Sequence, residues 1–149
     1  MPTENHYSFD EFCAANAEKV VSGLDYVRSI YKSLALPADF VVLFSRIYKP
    51  ELRLEQGYVF IADLFDGARF ADLLQSSGKL SLAQYWMNLL EVTGLFDGLS
   101  IEQATGVAHD IADAWNSRIN SACPDALGRA SVIHDQSNGE VFVTVGRIE

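Results

Sequence analysis

Between residues 80 and 117 the chain has no lysine or arginine. Over residues 54–117 nine acids (Glu55, Asp63, Asp66, Asp72, Glu91, Asp97, Glu102, Asp110 and Asp113) face only Arg69 and Lys79, which makes −7 of the formal net charge of −9. Binding to phosphate backbones depends on Lys and Arg that displace counterions, so nucleic acid is not an expected partner. The two cysteines, Cys13 and Cys123, stand far apart and form no Cys-x-x-Cys motif, so neither a disulfide framework nor a thiolate metal motif is expected. No apolar run exceeds the five residues 40–44, far short of the roughly 20 needed to cross a bilayer. The start, Met1-Pro2-Thr3-Glu4-Asn5-His6, lacks the basic and apolar regions of a secretory signal, and the expectation is a cytoplasmic protein. Proline is scarce at 4 residues and no linker composition occurs, so the 149 residues are expected to form a single domain.

What is present is regular periodicity opened by local helix signals. Ser8 with Glu11, Ser81 with Gln84 and Ser100 with Gln103 each match a capping box, in which a serine oxygen accepts from the third amide on and the Glu or Gln side chain reaches back. Apolar spacing after Ser8 predicts a helix over residues 9–32, either continuous with a close approach at Gly23 or broken into two. Residues 40–48 fit a helix capped by Asp39 better than a buried strand, and Pro50 ends the segment. Residues 58–62 read as a strand. Asp66 and Gly78 bound a helix of about three turns. The spacing predicts an enclosed helix over residues 82–93, stopped by Gly94. A longer one starts after Ser100, with Ile101, Ala104, Val107, Ala108, Ile111, Ala112, Trp115 and Ile119 on its apolar stripe. Residues 130–134 and 140–145 alternate like strands across Asn138-Gly139, which predicts a C-terminal hairpin. An isolated hairpin is marginal in water, so it is expected to pair with the 58–62 strand. The predicted fold is α+β, with four to five helices packed on a small antiparallel sheet.

Few residues carry a chemical signal. His109 and Asp113 lie one turn apart on the last long helix, flanked by Glu102 and Asn116, which makes His109 and Asn116 a possible polar site. The same arrangement is ordinary on helix surfaces, and no second helix offers a matching Glu-x-x-His pair, so no metal and no other cofactor is expected. Cys13 sits on an apolar stripe, where a thiol is inert; its candidate histidine partners are His6, His109 and His134. Nucleophile elbows, phosphate loops and dinucleotide fingerprints are absent, and no catalytic residue is assigned.

A small acidic chain whose helices lead into a terminal hairpin resembles in build the bacterial toxin-immunity proteins. The local likeness rests on residues 85–96, Tyr-Trp-Met-Asn-Leu-Leu-Glu-Val-Thr-Gly-Leu-Phe, and the helix that opens at Ser100, under a third of the chain. The resemblance implies a non-catalytic inhibitor, with Glu91, Asp97, Glu102, Asp110 and Asp113 meeting Lys and Arg of a basic protein partner, such as a toxin domain. Two alternatives remain from the residues themselves. One is a small-molecule site or enzyme between sheet and helices that uses His109 or His134. The other is a subunit of a homo-oligomer whose copies cover the apolar 40–48 segment or the hairpin edge.

Overall fold

The computed structural model describes residues 7–148, so the sequence-derived candidate His6 lies outside the described residues. The chain groups into two compact units, one up to Val42 and one from Leu43 onward.

The first unit is helical. Helix α1 (Phe9–Ala15) starts at Ser8, whose side chain accepts from the Glu11 amide; the reciprocal Glu11 bond is not made. Helix α2 (Gly23–Ser33) starts at Ser22, and here the box is complete, with the Asp25 carboxylate returning to the Ser22 amide. The 9–32 pattern is therefore two helices, and the Ser22–Asp25 box places the second start at Gly23. Phe9, Phe12 and Tyr26 pack edge to face at 5.5 and 5.6 Å between centroids, and the Tyr26 hydroxyl donates to the Tyr7 carbonyl. No residue of α1 or α2 is buried. Helix α3 (Ala38–Tyr48) crosses the boundary between the units and confirms the helical reading of residues 40–48; Asp39 lies inside its first turn rather than ahead of it.

The second unit holds the core. Strands β1 (Leu52–Glu55) and β2 (Tyr58–Ile61) form an antiparallel pair across Gln56 and Gly57, both with positive φ (49° and 86°), as a tight two-residue hairpin requires. Helix α4 (Gly67–Ser77) has the anticipated ends: Asp66 accepts from the Ala68 and Arg69 amides, and Gly78 is left-handed with φ 67°. Helix α5 (Leu80–Met87), strand β3 (Leu90–Glu91) and the single turn α6 (Val92–Leu95) occupy the region predicted as one helix. Helix α7 (Ile101–Ala122) opens with a complete Ser100–Gln103 box, and β4 (Ala130–Asp135) and β5 (Glu140–Val145) form the C-terminal hairpin. The α+β class is thus confirmed, with seven α-helices among the described residues rather than four or five.

Two expectations fail here for identifiable reasons. The hairpin pairs with β3, giving the order β3-β5-β4, while β1-β2 stays a separate sheet, so β2 is not the third strand. The helix over residues 82–93 stops at Met87 because the Asn88 side chain is committed to β2: its Oδ1 accepts from the Ile61 amide at 2.8 Å and its Nδ2 donates to the Val59 carbonyl at 3.2 Å. Helix α5 also starts earlier, at Leu80 after Lys79, so Ser81 and Gln84 form no capping box.

The core lies where α7 crosses the β3-β5-β4 sheet. Ala104, Ala108, Ile111, Ala112, Trp115 and Ile119 meet Val141, Val143 and Val145, with Val59, Ile61 and Val92 completing the cluster. Trp115, 1% exposed, donates its indole N–H to the Ile47 carbonyl at 2.7 Å. Trp86, by contrast, stands 41% exposed, because the buried face of α5 is Ala83, Gln84 and Met87.

Candidate functional site

Helix α7 supplies one surface. At 100° per residue its six buried positions occupy one side, and Glu102, Asp110 and Asp113 fall within roughly 80° on the other, all exposed. None of the three makes an ion pair among the described residues, where the pairs found are Arg28 with Asp25 and Arg53 with Glu55. Asp110 adds its field to burial in raising the Tyr48 phenol above its ordinary pKa, burial being the larger cause.

The other two proposed acids lie elsewhere. Asp97 is exposed in the turn before α7. Glu91 is half-buried on β3; strand alternation turns it away from α7, since Leu90 is the β3 residue packed on the core. It sits beside Glu140, whose carboxyl is raised above the usual range by burial first, then by the Glu91 and Asp135 carboxylates and a hydrogen bond with Glu91. Asp135 is shifted the other way by hydrogen bonds from Ser137 and Asn138 in the hairpin turn; the Ser137 hydroxyl donates at 2.6 Å.

His109 is exposed at the edge of the acidic face, and no hydrogen bond or ion pair joins it to Asp113 among the described residues. The amide of Asn116 is spent on the backbone: Nδ2 donates to the Ala130 carbonyl at 3.0 Å and Oδ1 accepts from the Ala130 amide at 2.7 Å. It fixes α7 to the first residue of β4. His134 Nε2 lies 3.0 Å from Thr105 Oγ1 on the surface. Cys13 and Cys123 are free and partly exposed. Among the described residues no three His, Cys, Asp or Glu side chains are grouped to hold a metal ion, and no helix is long and apolar enough to cross a membrane.

A second feature was not visible in the motifs. A cavity of about 430 Å³ opens between the start of α5, the loop after α7 and the end of β5, with Tyr58, Ser81, Gln84, Arg129, Ser131 and Arg147 in its wall. The Gln84 side chain, 1% exposed, donates through Nε2 to the Leu127 carbonyl at 2.7 Å and the Val59 carbonyl at 3.0 Å. Arg129 directs its guanidinium to Asn120 Oδ1 and to the carbonyls of Pro124, Ala126 and Gly128, at 2.7 to 3.0 Å. The signal in the sequence was a pair of amide side chains, Gln84 and Asn88, one turn apart beside Ala83 and Met87; read alone, they resemble surface residues. No family model matches the chain, and neither a curated protein nor a solved structure matches it.

Proposed function

We propose that the protein is a non-catalytic binding protein of the immunity type, which docks a basic protein partner on the outer face of α7. The observation that carries this reading is the set of three exposed carboxylates, Glu102, Asp110 and Asp113, on one side of a 22-residue helix whose other side is locked into the core. Carboxylates without a counter-charge on a rigid element add their fields outward, which accelerates encounter with a basic surface and disfavours acidic ones. Asp97, just before the helix, extends the same sign of charge; Glu91, engaged with Glu140, contributes less. The test compares the native chain with a Glu102→Lys, Asp110→Lys, Asp113→Lys variant in capture from a native lysate at low and high salt. A basic partner held by the native chain at low salt, released at high salt and not held by the variant supports the reading. Equal retention by both chains, or a partner without basic surface, ends it. If the partner is a toxin, the native chain should also neutralise it in a growth assay.

A second reading, self-association, is favoured by the exposure of Val41 on α3 beside Leu24 and Val27 of α2, which line one apolar hollow of the first unit. Mass in solution decides it: a concentration-dependent dimer that Val41→Glu abolishes supports it, and a monomer across the accessible concentration range excludes it.

A further inference from the structure

We infer that the cavity beside Gln84 binds a small carboxylate that also carries an N–H or O–H donor, at a site that shares no residue with the acidic face of α7.

The first argument is the orientation of Gln84. Because Nε2 gives its protons to two backbone carbonyls, the amide cannot be flipped, and Oε1 must be the atom left over. No donor meets that oxygen among the described residues. Every fully enclosed side-chain N or O among them has a partner, so Oε1 gains its access from the cavity that Gln84 lines. Two glycines let the backbone close on the Gln84 amide: a Cβ on Gly128 would fall 2.3 Å from Nε2 and 2.6 Å from Oε1, and one on Gly146 2.7 Å from Oε1. Both glycines have positive φ, 97° and 103°, which disfavours any side chain there. An acceptor reached only from the cavity takes its donor from whatever occupies the cavity, and an occupant that displaces water without offering one leaves it unmet.

The second argument is charge. The cavity wall contains Arg129 and Arg147 and no acid, in a chain whose net charge is −9. Helix α5 begins there with Lys79 as a cap that makes no side-chain bond, so its first-turn amides lack the usual acceptor, and the Ser81 hydroxyl lines the cavity beside them. Arg129 is largely consumed by carbonyls, whereas Arg147 is exposed with no partner among the described residues. One free guanidinium carries a single positive charge, which a monoanion balances, and its planar fork takes both oxygens of a carboxylate. Ser81 and Gln84 stand three residues apart on one helical face, about 5–6 Å between their Cβ atoms, so one small ligand lying between the two side chains can meet both. A volume of about 430 Å³ accommodates such a molecule.

The test is an NMR titration of the full ¹⁵N-labelled chain with N-acetylglycine, glycolate and lactate, and with N-acetylsarcosine, which replaces the amide N–H by N–CH₃. The inference expects shifts in the Gln84 side-chain amide and in the Gly128 and Gly146 amides. It expects N-acetylglycine to bind about tenfold more tightly than its N-methyl counterpart. Arg147→Gln, at an exposed position that leaves the fold intact, should weaken binding about tenfold. Ser81→Ala, with its unfolding midpoint checked, should weaken it as well. Absence of shifts with all three donor-bearing carboxylates at about 50 mM, well above a millimolar Kd, overturns the inference. So do shifts confined to other surfaces, and equal binding of the N-methyl compound.

Discussion

Among the described residues three polar side chains are buried, Gln84, Asn88 and Thr144, and each bonds to backbone. Thr144 Oγ1 donates to the Tyr85 carbonyl at 2.6 Å, so the three together tie α5 and the residue after it to β2, the loop after α7 and β5. Asn88 does most at once, since it both ends α5 and satisfies an amide and a carbonyl of β2. Asn88→Ala leaves the Ile61 amide unmet, while the Val59 carbonyl keeps its bond from Gln84, and should lower unfolding stability by roughly 1–3 kcal/mol, read from urea denaturation. Glu140 offers the opposite case. Its raised pKa means that the folded state favours the protonated form. Its contribution to stability is therefore complete below the ordinary carboxylate pKa and is lost as pH rises through the raised value. Glu140→Gln should accordingly raise Tm at neutral pH, and the gain should disappear below about pH 4; a pH-independent difference would refute the assignment.

The elements divide by how their starts and stops are encoded. Where a boundary depends on residues within one turn, as at Ser100, Asp66, Gly78 and the Gln56-Gly57 corner, it could be recognised from sequence or from a rule the sequence obeys. Where it depends on a distant partner it could not. Strand β3 is two residues long, exists because β5 some fifty positions later accepts it, and has no periodicity of its own. Likewise Gln84 and Asn88 look like solvent-facing helix residues until β2 is laid against them. The candidate site was legible to the same extent: Glu102, Asp110 and Asp113 follow from helical spacing on α7, while the Gln84 cavity draws on α5, the α7–β4 loop and β5 together. The same distinction predicts unequal durability. Helices α1 and α2, of 7 and 11 residues with nothing buried, are too short to persist without packing. Amide exchange there should be orders of magnitude faster than in the middle of α7. Comparable protection in both regions would show that something further holds the first unit.

For the molecule as a whole, charge is poorly compensated. The ion pairs found among the described residues number two, against a net −9 over the chain, and neither involves α7. Such a surface repels itself in the folded state, and salt screens that repulsion with a length near 10 Å at about 0.1 M. Tm should therefore rise between about 10 mM and 200 mM sodium chloride, and the Glu102→Lys, Asp110→Lys, Asp113→Lys variant should show a smaller rise. A fall in Tm with salt for the native chain would mean that attractive pairs outweigh repulsion.

The two tryptophans give the molecule separate optical reporters. Trp115, enclosed and bonded to Ile47, should emit at short wavelength and resist iodide, which makes it a signal for loss of the core. Trp86 stands in solvent on α5, whose inner face carries Gln84, and should be quenched readily. With Trp115→Phe the remaining emission would follow the neighbourhood of the cavity, and with Trp86→Phe it would follow unfolding.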